Sequence, residues 1–449
     1  MDSRTGAKRT ALLMSGVIFL VALNLRPAIV AVGPLLSSIG AAFGWGESLQ
    51  GLLGALPLLA FALFSIFVSS LTAKFDTDRV LFWALIVLAV GCFVRSFLGE
   101  NAVWAGTLLI GASIAVGNVL APAIVKRDFV NSISFATGAY SACVTSGSAI
   151  AGLTASAAAD ALGGWQPALA LWAVPALAAA ALWFARSRLL PACSEQKEAE
   201  SQPARKADDA TSQKASAPTH TAGVSCTNRE ANLDAAGAEA HHAPTRPSSH
   251  SAQPASPESP LRAVLRRPSS WLVTLFMGLQ SAAFYTYCNW LPSIAASAGF
   301  AATEAGVHLF VFQALGIFSG LLIPRFMYVR GNQICAGLLA SAPLLVASLG
   351  WLLAPQLSPA WSIFGGIGQG ASLVVALTLI SLRGTTHAET VALSGFAQSL
   401  GYLLAACGPF AFGALAETTG SFAAPLAFMA ALAAAQCALS FLAGRTPSR

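Results

Sequence analysis

Arg26 is the only charge in the run ALLMSGVIFLVALNLRPAIVAVGPLL, which covers residues 11–36. A cation that deep in an apolar helix costs about 2.5–3.5 kcal/mol on insertion scales, so such residues mark ion or solute pathways. At a rise of 1.5 Å per residue, Arg26 sits about 22 Å from the start of its helix, near mid-membrane. Pro27 follows directly. It has no N–H to donate, so it frees a carbonyl one turn earlier and sets a bend. Asn24 lies on another helical face, where it can hold the freed backbone. A guanidinium with no opposite charge at its own depth is a receptor for an anionic or electron-rich solute. The alternative role is structural, with Arg26 capping freed carbonyls or bridging helices.

Other polar side chains in apolar runs are candidates to complete such a site. Residues 269–297 carry Gln280 and Tyr287 on one helical face, Tyr285 and Asn289 on another, and Trp290 and Pro292 near the far end. Gln280 belongs in a cavity, because an amide facing lipid leaves its hydrogen bonds unmet. Asn118, Gln369, Gln398 and Tyr402 are further candidates for solute contact or for helix-to-helix hydrogen bonding. His308, about one and a half turns into its helix, is a candidate for proton coupling; a buried acid near Arg26 is not evident.

The elements that position these residues follow from composition. The chain has 449 residues, 55% hydrophobic and 10% charged, with a mean hydropathy of +0.66. Soluble domains carry about 25% charged residues. Apolar stretches recur at about 11–39, 48–72, 79–97, 102–125, 133–159, 165–187, 269–297, 303–324, 332–353, 359–382, 389–416 and 421–444. Each can cross a hydrocarbon core of about 30 Å. The basic N-terminal decapeptide continues into the first of them without a cleavage site and reads as a retained span. The expected fold is therefore an all-α membrane protein with twelve transmembrane helices.

Basic residues set the expected orientation. With the N-terminus inside, 23 of the 25 Lys and Arg residues fall on the cytoplasmic side, Arg26 and Arg95 being the exceptions. The acids Glu47, Glu100, Asp160, Glu304 and Glu417 fall at the other ends of the helices. This asymmetry places both termini in the cytoplasm. Trp45, Trp104, Trp165, Trp351 and Trp361 cluster near the outer interface, as an aromatic belt would. Residues 191–267 are rich in Ala, Ser, Pro and mixed charges and have too little apolar surface to offset chain entropy. They read as a disordered cytoplasmic linker between residues 1–190 and 268–449, each a bundle of six helices. The segment PLRAVLRRP at 260–268 reads as a basic juxtamembrane stretch able to meet anionic lipid.

Several segments resemble one transporter family. LNLRPAIVAVGPLL at 23–36 looks like the first-span signature of the cyanate permease family, whose members also include nitroimidazole transporters, within the major facilitator superfamily. VGNVLAPAIVKRDF, FMGLQSAAFYTYCNWLPSI, GIGQGASLVVALTLISLR and ALSGFAQSLGYLLAACGP resemble its fourth, seventh, tenth and eleventh spans. The resemblance implies two six-helix bundles of the major facilitator type around a central cavity, with alternating access by rocking of the halves. It also implies small anions or nitroimidazole-like compounds as solutes. The superfamily's basic loop between spans 2 and 3 is reduced here to AKFDTDR, where Asp76 and Arg79 keep a charged gating loop but the glycine and paired arginines are missing.

The expected function is thus secondary active or facilitative transport at the inner (plasma) membrane, with Arg26 as the anion-binding residue. A drug or metabolite exporter is the nearest alternative, and a membrane solute sensor a further one. An enzyme is not expected, because no HExxH motif and no paired intramembrane acids occur. No GxxxxGK[ST] loop is present, which argues against direct ATP drive. The scattered cysteines hold no CxxC pair, and no metal or cofactor is expected. Expected partners are the solute and membrane lipid, with no nucleic acid and a monomeric protein.

Overall fold

The computed structural model describes residues 16–72, 74–129, 133–188, 260–327 and 329–445. The expected linker from 191 to 259 lies outside them. The described residues are almost entirely helical. The first six long helices are α1 (Gly16–Phe43), α2 (Glu47–Thr72), α3 (Thr77–Phe97), α4 (Glu100–Asp128), α5 (Ile133–Leu162) and α6 (Trp165–Arg188). The second six are α7 (Pro268–Ser297), α8 (Ala302–Leu322), α9 (Ile334–Leu353), α10 (Ser358–Arg383), α11 (His387–Thr419) and α12 (Ala423–Ala443). Among the described residues, 11 helices are long and apolar enough to span a bilayer. Only α7 falls short. Its polar side chains are tolerated because from Phe276 to Ala295 almost every residue is buried by other helices, while Trp271 and Leu275 in its first turns stay exposed.

The last residues of the expected linker depart from that reading. Pro260–Arg266 is a short helix packed on α11. Trp271 Nε1 donates to the Leu265 carbonyl, and Arg267 forms a two-pronged ion pair with Glu389 at 2.7 and 3.0 Å. Glu389 also accepts from the Thr385 hydroxyl at the start of α11. Val264 is buried against α7 and α11, and that apolar anchor together with the ion pair gives the segment its fixed shape.

Both halves belong to one compact unit. They meet through α2 against α11, α5 against α8, and the Val32–Phe43 part of α1 against α7. One end of the bundle carries Arg127, Arg186, Arg383 and the start of α1; the other carries the helix-end acids. At this acid-bearing end the halves touch backbone to backbone. A Cβ on Gly33 would lie 2.2 Å from the Cys288 carbonyl oxygen, and one on Gly413 would lie 2.1 Å from that of Glu47. Only glycine permits such an approach. The Ser48 N–H at the start of α2 donates to Glu417 of α11 at 2.7 Å, where a carboxylate suits a helix N-terminus. Of the tryptophans at this end, Trp45, Trp165 and Trp351 pack inward, while Trp104 and Trp361 stay partly exposed. Trp45 stacks on Phe43, packs tilted against Trp104 and donates to Glu100.

At the basic end the first half is locked by charges. Arg186, fully buried, lies over the Trp183 ring and pairs with Asp128 and Asp78, which Arg127 also engages. The sequence pointed to Asp76 and Arg79 for a charged gate. Here Asp76 is instead the N-cap of α3, accepting from the N–H groups of Asp78 and Arg79, and the Arg79 side chain points outward. Asp78, two residues on, faces α4 and α6 and carries the network. Replacing Arg186 by Leu should lower stability by on the order of 3 kcal/mol, because it strips a partner from two enclosed carboxylates. A depressed thermal unfolding midpoint of the purified protein is the expected reading, with partial recovery in Arg186→Lys.

Candidate functional site

α1 is interrupted where its charge sits. Leu25 and Arg26 form a turn, and Pro27 begins the next helical segment at its first position. The proline leaves the Leu23 carbonyl without its usual donor. Gly147 of α5 closes on that spot; a Cβ there would lie 2.1 Å from the Leu23 oxygen. Asn24 donates to the Leu20 carbonyl at 2.8 Å, so it serves the backbone, as its helical face suggested.

The bend aims Arg26 into the bundle. Its guanidinium carbon lies 4.9 Å from the centroid of the Phe284 ring and 5.5 Å from that of Tyr285. Tyr402 and Phe61 extend the aromatic wall, with ring centroids 5.5 Å apart. Tyr140 and the Cys288 thiol also lie within electrostatic reach of the cation. Among the described residues, Arg26 makes no ion pair and no hydrogen bond. Cation–π contacts in a desolvated site contribute about 2 kcal/mol. They hold the charge without neutralising it. The Tyr285 hydroxyl beside it is buried and has no hydrogen-bond partner.

Arg26 lines a cavity of about 450 Å³. Its walls come from α5 (Ser141, Thr145), α7 (Phe284), α8 and α10 (Gln369), and it runs past Pro324 and Ser381 toward the basic end. A narrow recess continues from it between Arg26, Gln280, Ser281, Tyr285, Gln369 and Tyr402. Gln280 donates to Ser281 Oγ at 2.7 Å and turns its amide toward this recess. The structure therefore brings Arg26, Gln280, Tyr285, Gln369 and Tyr402 together around one space that leads out of one end of the bundle.

Other candidates stand elsewhere. Tyr287 donates to Ser348 Oγ at 2.7 Å and stacks near Trp351, inside the second half. It shares an azimuth with Gln280 but sits about 10 Å further along the helix, where α9 replaces the cavity. Trp290 donates to the Pro409 carbonyl and stacks on Phe412, and Asn289 packs against Gly54; both belong to the closed acid-bearing end. Gln398 donates to Ser394 on its own helix. Asn118 is half-buried on α4 and has no hydrogen bond among the described residues. His308 lies at the acid-bearing end of α8, edge-on to Phe300 and near Glu304, in a separate cavity remote from Arg26.

Two residues were missed in the sequence. Tyr140 stands in a span rich in Ala, Gly and Ser, where no apolar face singles it out. It is one of only 5 tyrosines, and three of those 5 surround Arg26. Arg95 is 1% exposed and donates from α3 to the Ala28 carbonyl at 2.7 Å. It fills the backbone-capping role weighed for Arg26. Its signal was its position, as the one helix-end cation among the acids.

Comparison with known proteins agrees with this fold. The model of the family described as Major Facilitator Superfamily matches residues 12–406. The "2-nitroimidazole transporter" of Escherichia coli (strain K12) is 32% identical over 98% of this chain and 96% of its own length. The "Cyanate transport protein CynX" of the same organism is 24% identical, covering 92% of each chain. Among solved structures, a bacterial homologue of the human lysosomal transporter Spinster, inward-facing and occupied, superposes with a TM-score of 0.67 at 14% identity, over 98% of this chain and 99% of that one. Family members are transporters and not enzymes. On these matches the chain belongs to the Major Facilitator Superfamily, and its relatives include proteins named as transporters of 2-nitroimidazole and cyanate.

Proposed function

We propose that this protein carries a small, planar or linear, anionic or electron-rich solute across the inner membrane by alternating access, with Arg26 as its receptor. The observation that supports this reading is an unpaired guanidinium beside an unpartnered Tyr285 hydroxyl in a cavity open at one end. A guanidinium fork offers two parallel N–H groups, which match the two oxygens of a nitro or carboxylate group. A tyrosine hydroxyl can donate to or accept from a ring nitrogen at the same time. Phe284, Tyr285 and Tyr402 supply flat surfaces for a flat guest. Gln280 and Gln369 add polar groups that fix orientation.

The excess of Lys and Arg at the basic end supports a cytoplasmic placement of that end and of both termini. On that placement the cavity is open to the cytoplasm and the glycine contacts close the outside. The test is flux into liposomes holding the purified protein, with 2-nitroimidazole and cyanate in the solute panel. Saturable movement of at least one of them, blocked by the other, is the expected result. Binding without flux would leave a sensor, and flux confined to bulky cationic compounds would leave a drug exporter.

A further inference from the structure

A second cavity lies on the flank of the first half, away from Arg26. It has a volume of about 750 Å³ and is walled by α2, α3 and α4. α2 and α3 barely touch at this level, and α4 stands behind the gap. The lining is apolar, with Phe67, Leu71, Trp83 and Val87 prominent. Phe67 and Trp83 are more than half exposed, on helices that span the membrane, so the groove opens sideways toward hydrocarbon. From Arg79 to Val87 it runs about 12 Å, close to the depth of one leaflet of a roughly 30 Å hydrocarbon core.

Its basic-end mouth carries Lys74 and Arg79. Both are exposed, and neither has a carboxylate within 4 Å among the described residues. The acids of the same loop are otherwise committed. The Asp76 carboxylate caps α3, and that of Asp78 is held by Arg127 and Arg186. Two free cations above an apolar slot one leaflet deep are complementary to a phosphate above an acyl chain. We infer that this groove is a specific site for an anionic phospholipid of the leaflet at the basic end, its headgroup on Lys74 and Arg79 and its acyl chain between α2 and α3. Because α2 packs on α11 across the two halves, a bound lipid also braces a helix that moves when the halves rock.

The test is native mass spectrometry of the purified protein from mixed micelles holding equal parts phosphatidylglycerol and phosphatidylcholine. The wild-type protein should retain phosphatidylglycerol over phosphatidylcholine on the order of tenfold, as two juxtamembrane cations favour. The double variant Lys74→Gln/Arg79→Gln should fall to parity, and each single variant should lie between. Ala112→Trp, which fills the groove and keeps both cations, should lose the retained lipid. Soluble glycerophosphate should not displace phosphatidylglycerol, since it lacks the chain. Equal retention of the two lipids by the wild type would overturn the assignment. So would a preference that survives loss of both cations, one that survives Ala112→Trp, or displacement by glycerophosphate, which would mark a site for free phosphate esters.

Discussion

Arg26→Gln should lower apparent solute affinity by about 10²–10³ while leaving the protein as stable as before, or more so. A unit anion about 4 Å from the guanidinium gains on the order of 4 kcal/mol at an effective dielectric of 20. That interaction corresponds to roughly a thousandfold in Kd, and water in the open cavity brings it toward the lower bound. The stability arm separates a receptor from a strut. As a receptor, the cation costs energy in the empty protein, because its partial desolvation is offset by the rings of Phe284 and Tyr285 and by no opposite charge among the described residues. Removing it then relieves that cost, and the unfolding midpoint holds or rises. As a strut it would hold the helices together, and the midpoint would fall in step with transport.

Arg26→Lys sharpens the distinction. It keeps the charge but loses the planar fork and part of the contact with the rings. Affinity should fall by on the order of tenfold, more for a nitroaromatic guest than for a linear anion, because the fork matters most where two oxygens are read together. Solute binding by calorimetry and unfolding by intrinsic fluorescence, measured on the same preparations, decide it. Undiminished binding in Arg26→Gln would remove the basis of the proposed function.

Much of this was legible in the sequence, and the reason is energetic. The bilayer forces each span to be long and apolar, so all twelve helices could be read from the sequence, α7 with its polar side chains included. Arg26 was legible for the same reason, since a charge is conspicuous only against an apolar run, and Pro27 signalled the bend. What failed was azimuth and depth within helices that show no lipid-facing side. Beyond Leu275 α7 is buried on nearly every face, so periodicity could not say which of Gln280, Tyr285, Tyr287, Asn289 and Trp290 meets the cavity. Tyr285 and Tyr287 differ by about 200° around the axis and face different neighbours. Asp76 against Asp78 is the same problem over two residues: one caps a helix and the other anchors a network. Tyr140 and Arg95 depend on contacts that a sequence pattern does not carry.

Gly33→Leu should cut the transport rate by about 10–100-fold while leaving solute binding near wild type. The contact of Gly33 with the Cys288 carbonyl closes the acid-bearing end between α1 and α7. A carbon normally stays about 3.3–3.6 Å from a carbonyl oxygen. A side chain at 2.2 Å therefore drives the two backbones apart by roughly 1 Å or more. Overpacking of that kind costs about 1–3 kcal/mol. The cost falls only on the state in which this end is shut, so occupancy of that state drops by up to about a hundredfold. Arg26 is untouched, and the solute can still reach it from the opened side. The control is Gly395→Leu on α11, where nothing lies within 4 Å of an added Cβ. Cys288 serves as the reporter, because it is 3% exposed behind the closed contact. In a background where the other cysteines are replaced, a membrane-impermeant thiol reagent applied from the acid-bearing end should label Cys288 faster in Gly33→Leu than in the parent, and added solute should slow it. Labelling at the parent rate with normal transport would mean that closure of this end rests on α2 and α11, through Gly413 and Glu417, and not on the meeting of α1 with α7.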